Sequence, residues 1–152
     1  MIYRTLGQSG LKVSALTLGT MMFGEQTNTE DSLRIIDKAW DQGINFIDTA
    51  DVYTAGRSEE LVGEAIARHR QDWVVASKVG FGPADGLPNR SGLSRKRIFT
   101  ALEASLTRLE FLLGKQAPYL AVSLVNLPWR WRWSVRRLRC HWVCRWAPGW
   151  ER

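Results

Sequence analysis

Three apolar runs, "LKVSALTLGT", "INFIDT" and "WVVASKVG", alternate with three segments of helical spacing, and few folds accept that rhythm. The first helical segment, "TEDSLRIIDKAWDQG", sets Leu33, Ile36 and Trp40 on one face, with a polar start at Asn28 or Thr29 and a stop at Gly43. The second, "SEELVGEAIARH", turns Leu61, Ala65 and Ile66 inward, with Ser58 as its cap and two acids in its first turn. The third, "SRKRIFTALEASLTRLE", repeats Ile98, Leu102, Leu106 and Leu109 at helical intervals. Strands separated by single helices run parallel, because each helix carries the chain back for a right-handed crossover. Their C-terminal ends then share one side. Thr20, Asp48 and Lys78, spaced 28 and 30 residues apart, end successive strands and meet at the edge where α/β proteins build their sites.

Chemistry gives that edge a purpose. Tyr53 follows Asp48 by five residues, and a free tyrosine, with a pKa of about 10, trades protons poorly at neutral pH. A lysine ammonium beside the phenol favours its ionised form, and a carboxylate paired with the lysine keeps it charged and oriented. Asp48, Tyr53 and Lys78 can thus form a proton relay. The same spacing also fits a structural Asp–Lys pair across strand ends with Tyr53 at the surface. Trp40 and Trp73 read as core or near-core packing, and His69 as an exposed residue at a helix end.

Composition divides the chain near Glu110. Residues 1–110 hold 13 of the 21 Lys and Arg and 14 of the 15 Asp and Glu, whereas residues 111–152 set eight basic residues against Glu151 alone. Six of the eight tryptophans also lie in that second part, within "WRWRWSVRRLRCHWVCRWAPGW". Alternating Trp and Arg gives no clean packing face. The abrupt change, to residues with G- and C-rich codons, points to an out-of-frame or disordered tail. Two other readings stay open: binding of single-stranded nucleic acid through phosphate contacts and base stacking, and attachment to an anionic membrane interface. "CHWVC" offers three potential metal ligands where a structural zinc site needs four, so no metal site is assigned. The opening residues lack a signal-peptide core, and the longest apolar segment, 117–128, is too short for a bilayer. A soluble, cytoplasmic protein is expected.

"GINFIDTADVYTAGRSEELVGEAI", with "LTLGTMMFG" before it and "VVASKVG" after it, resembles the amino-terminal part of the aldo-keto reductases, over roughly residues 1–110. The resemblance implies an α/β fold, a partial (β/α)8 TIM barrel ending after about three β/α units. It also implies NADPH-dependent reduction of an aldehyde or ketone. Tyr53 would then be the general acid, Lys78 would lower its pKa, and Asp48 would hold Lys78. Gly19, Thr20 and Met21, with Asp48, would lie beside the nicotinamide. "YRTLGQSGLKVSAL" resembles the hairpin that closes the bottom of such a barrel.

The departures matter as much. A whole barrel takes about 250 residues, and the histidine that ends the family's fourth strand has no counterpart, since "FLLGKQAPYLAVSLVNLP" is apolar enough to be strand-like but offers only Asn126 near its end. The expectation is an inactive fragment of a reductase whose partner is a small carbonyl substrate, with neither nucleic acid nor membrane as a partner. Its open sheet edge would favour self-association or chaperone binding. In "GFGPADG", Pro83 breaks any phosphate-binding glycine pattern, so the segment reads as a rim loop. "SRKR" at 94–97 reads as a solvated helix start.

Overall fold

The protein is described by a computed structural model over residues 1–82, 87–110 and 120–124. Its elements are β1 (Tyr3–Thr5), β2 (Lys12–Ser14), β3 (Leu18–Gly19), α1 (Thr29–Asp41), β4 (Phe46–Asp48), α2 (Arg57–Ile66), β5 (Val74–Val79), α3 (Arg95–Glu110) and β6 (Leu120–Leu124). Short 3-10 turns at Tyr53–Gly56 and Ala67–His69 flank α2. Strands β3, β4, β5 and β6 form one sheet in chain order, every neighbouring pair parallel.

The strand-like segment after residue 110 contributes a fourth strand to the sheet. β6, inside the segment assigned to the tail, pairs with β5 from Val75↔Leu120 to Val79↔Leu124. Three β/α units are therefore followed by the strand of a fourth. "LAVSL" is short and mostly apolar, the composition of a strand in a parallel sheet. "CHWVC" and the Arg/Trp-rich stretch lie outside the described residues. No helix among the described residues is long and apolar enough to cross a membrane.

The first apolar run splits in two. Its start, β2, returns antiparallel on β1, and only Leu18–Gly19 enters the main sheet. Asn45 explains the division: its side chain accepts from Ser14 N at 2.8 Å and donates to Lys12 O at 3.0 Å. Tyr3 Oη adds a bond to Gly43 O at 2.8 Å. Both anchors precede β4, so the hairpin is held at the N-terminal end of the sheet, as the resemblance implied. Among the described residues, no such hairpin covers the opposite end.

α1 begins as predicted. Asn28 is its cap, accepting from Asp31 N at 2.9 Å. Gly43, at φ +79°, supplies the left-handed turn that leads into β4. α2 departs from prediction, because Gly56 rather than Ser58 precedes it and no side chain caps it. Ser58 is instead buried, donating to Thr20 O at 2.9 Å. A hydroxyl already inside the first turn is used to tie helix to strand end.

The core lies between the sheet and the helices. Phe23, Ile36, Ile47, Leu61, Val62, Ile66, Val75 and Leu109 form one contiguous cluster with Trp73, and Trp40 packs against it. Trp40 also stacks on the exposed His69 at 4.8 Å between centroids. In β5, Val75, Ser77 and Val79 are buried while Ala76 and Lys78 are half-buried, which is the two-residue period of a strand with unlike faces. One face therefore belongs to the helices. The other carries Lys78.

Gly63 fixes how closely α2 and α3 approach. A β-carbon there would stand 2.8 Å from Arg108 O and 2.9 Å from Leu109 O, both backbone atoms that cannot swing aside. Gly63→Ala gains helix propensity of about 1 kcal/mol but meets an overpacking penalty of about 1–3 kcal/mol. The variant is predicted to unfold at lower urea than the wild type. A midpoint equal or higher would show that the helix pair can spread without loss.

Candidate active site

The parallel register builds the site. Gly19 lies opposite Asp48, and Asp48 opposite Ala76, so Lys78 stands two residues further along β5 on the same face as Asp48. A lysine side chain spans that offset. Lys78 Nζ donates to Asp48 Oδ2 at 2.5 Å and to Thr49 O at 2.9 Å. The third neighbour is Tyr53 Oη at 3.3 Å, and Nζ also stands 5.1 Å from the centre of the Tyr53 ring. The spacing argument thus brings Asp48, Tyr53 and Lys78 to one point. The two charged side chains remain about a quarter and a third exposed, at 26% and 38%, so the cluster faces solvent and is open to a small molecule.

Tyr53 is held by an unusual turn. Thr54 (φ 48°, ψ 44°) and Ala55 (φ 54°, ψ 31°) are both left-handed, and Gly56 continues at φ +96°. A β-branched residue in that region is costly, on the order of 1–3 kcal/mol, and persists only where its surroundings over-determine it. Thr54 Oγ1 supplies one restraint, donating to Phe23 O at 2.9 Å. The turn reverses the chain within four residues, from the end of the strand layer into α2.

The other predicted residues divide by exposure. Thr20 is fully buried; its hydroxyl meets Asp48 O at 3.2 Å and Ser58 Oγ at 2.9 Å. Its amide also donates to Asp48 O at 3.1 Å, continuing the ladder past β3. Met21 is 55% exposed, and Gly19 has open space where a β-carbon would be. The strand end therefore presents bare backbone and an apolar side chain, while Thr20 is turned into the protein.

Two ion pairs behind the site escaped the sequence reading. Arg97 of "SRKR" is not solvated: its Nη2 donates to Asp51 Oδ2 at 2.7 Å and to Phe81 O at 3.1 Å. The helix-start cation has met an anion, and it ties the loop after β5 to the segment carrying Tyr53. Glu59, taken for a first-turn acid, is fully buried and accepts from Arg108 Nε at 2.6 Å and from Ser77 Oγ at 2.5 Å. One signal could have found it. Glu59 shares an apolar stripe with Val62 and Ile66 at helical spacing, and a charge on an inward stripe requires a buried partner.

Four parallel strands in chain order, with the Asp48 carboxylate and the Lys78 ammonium at the C-terminal ends of the middle two, define part of an α/β barrel-type fold. The chain belongs to the aldo/keto reductase family, whose sequence profile matches residues 15–111. It is 43% identical over 131 residues to a candidate voltage-gated potassium channel beta subunit of Schizosaccharomyces pombe, covering 83% of this chain and 36% of that protein. A similarly described protein of Arabidopsis thaliana is 43% identical over 114 residues, covering 72% and 34%. Among solved structures, an aldo-keto reductase of Bacillus halodurans in its holo form superposes with a TM-score of 0.67 at 36% identity, covering 82% of this chain and 40% of that one. A candidate aldo-keto reductase from Pseudomonas aeruginosa gives 0.64 at 36% identity, covering 80% and 45%. The chain thus spans about a third of the length of the curated relatives it matches.

Burial raises the Asp51 carboxyl above its ordinary value of 3.8, and the nearby Arg97 guanidinium only partly opposes this. In the pH range between 3.8 and the raised value, the folded chain binds more protons at this site than the unfolded chain. Stability from this group is therefore present at low pH and lost as pH rises through the folded pKa. The urea midpoint of the wild type minus that of Asp51→Asn is predicted to fall as pH is raised from 3.8 and then to level off. A difference that rises with pH would mean that Arg97 outweighs burial.

Proposed function

We propose that this chain carries the catalytic strand ends of an NADPH-dependent reductase of aldehydes or ketones, with Tyr53 as proton donor. The observation that supports the reading best is the contact of one ammonium, Lys78 Nζ, with both Asp48 Oδ2 and Tyr53 Oη. Asp48 holds the ammonium in place. The ammonium stabilises negative charge on the phenol oxygen as its proton passes to the substrate oxygen. The cofactor, when bound, supplies a hydride to the carbonyl carbon. The open backbone at Gly19 and the exposed Met21 suit the face of a nicotinamide ring, with Thr20 supporting that edge from within and Asp48 beside it.

Residues 1–110 supply this half of the chemistry, and residues 111–152 are proposed to add β6 but no further catalytic group. The purified chain is predicted to give no NADPH-dependent reduction of simple aldehydes, because the described residues supply three β/α units and a strand, about half of a closed barrel. A graft separates role from truncation. Residues 15–111, placed in the matching part of the Bacillus halodurans reductase, should sustain turnover, and Tyr53→Phe in that graft should lower kcat by about 100- to 10,000-fold. Full turnover in the Tyr53→Phe graft would remove Tyr53 from the chemistry.

A second reading comes from the descriptions of the relatives in Schizosaccharomyces pombe and Arabidopsis thaliana: assembly with a voltage-gated potassium channel as a beta subunit. Co-expression with such a channel and retention on the channel after detergent extraction tests it. Loss of the chain from the complex contradicts it.

A further inference from the structure

We infer that the buried Glu59 and the partly exposed Arg108 form a clamp that sets the position of Tyr53 against Lys78. This rests on the reading of those two residues as the reacting pair, and it assigns a positioning role to groups that touch no substrate. Glu59 is fully buried at the start of α2 and uses both carboxylate oxygens. Oε1 accepts from Ser77 Oγ at 2.5 Å, and Ser77 is the residue before Lys78 on the helix-facing side of β5. Oε2 accepts from Arg108 Nε at 2.6 Å.

Arg108 carries the connection to Tyr53. Its side chain lies against Gly56, where a β-carbon would stand 3.0 Å from Arg108 Cδ and 3.1 Å from Nε. Gly56 ends the left-handed run that begins directly after Tyr53. One carboxylate thus fixes the strand that carries Lys78 and, through the guanidinium, the floor of the turn that carries Tyr53. The strained angles of Thr54 and Ala55 need such a floor, since an unsupported turn would relax toward the right-handed region. Glu59 is fully buried, so removal of the guanidinium would leave its carboxylate uncompensated.

The test needs no turnover. Tyrosine labelled at 13Cζ gives resonances from Tyr3, Tyr53 and Tyr119, assigned with Phe substitutions. Glu59→Gln keeps an acceptor for Ser77 but cannot pair with the guanidinium. The Tyr53 resonance is expected to move in Glu59→Gln and in Arg108→Gln, to move less in Arg108→Lys, and the Tyr3 resonance to stay fixed. Near-UV circular dichroism reports that each variant is folded. Should the Gln variants fail to fold, Ser77→Ala and Arg108→Lys decide the matter. A Tyr53 resonance unmoved in every folded variant overturns the clamp. Failure of the reductase reading shows separately, as full turnover in the Tyr53→Phe graft, and leaves this spectroscopic result standing.

Discussion

Lys78 Nζ donates to oxygens from three places in the chain: the Asp48 carboxylate at 2.5 Å, the Thr49 carbonyl at 2.9 Å and the Tyr53 hydroxyl at 3.3 Å. An ammonium has three protons, and these acceptors match them. The arrangement requires β4 and β5 to be parallel and in the observed register, because a slip of one residue would turn Lys78 into the helix layer. Parallel pairing in turn requires the crossover helix α2, and α2 requires the reversal at Tyr53–Gly56. The site and the fold are therefore one constraint. Neither can be altered without the other.

Behind the site, the buried hydroxyls and carboxylates are paired. Thr20, Thr49 and Ser58 exchange hydroxyl bonds beneath the strand ends, with Thr49 Oγ1 3.2 Å from Ser58 Oγ. Glu59 and Asp51 each meet an arginine from α3. Both pairs join the segment around Tyr53 to the third helix, so α3 braces the site from two points. Buried ion pairs contribute little net stability compared with apolar packing. Their effect here is to fix direction and spacing at a loop where strain would otherwise be released.

Much of this was legible in the sequence, because period and spacing are direct consequences of strand and helix geometry. Leu33, Ile36, Leu61, Ile66 and Leu109 follow the helical interval closely enough to place all three helices. Thr20, Asp48 and Lys78 mark strand ends because a polar residue there interrupts an apolar run. What period could not reach was pairing between distant segments. Ser58 looked like a cap, and Arg97 like a solvated cation, since both sit where local rules give them a role; long-range partners overrode those rules. β6 was legible as an apolar, strand-like run even though its five residues lie beyond the change in composition.

A double-mutant cycle on Asp48→Asn and Lys78→Met, read by urea unfolding of the whole chain, tests the central contact most directly. The account predicts a coupling of at least about 0.5 kcal/mol between the two substitutions. Effects that add to within about 0.3 kcal/mol would mean the two groups act independently. The strand ends would then lack the shared ammonium on which the site depends.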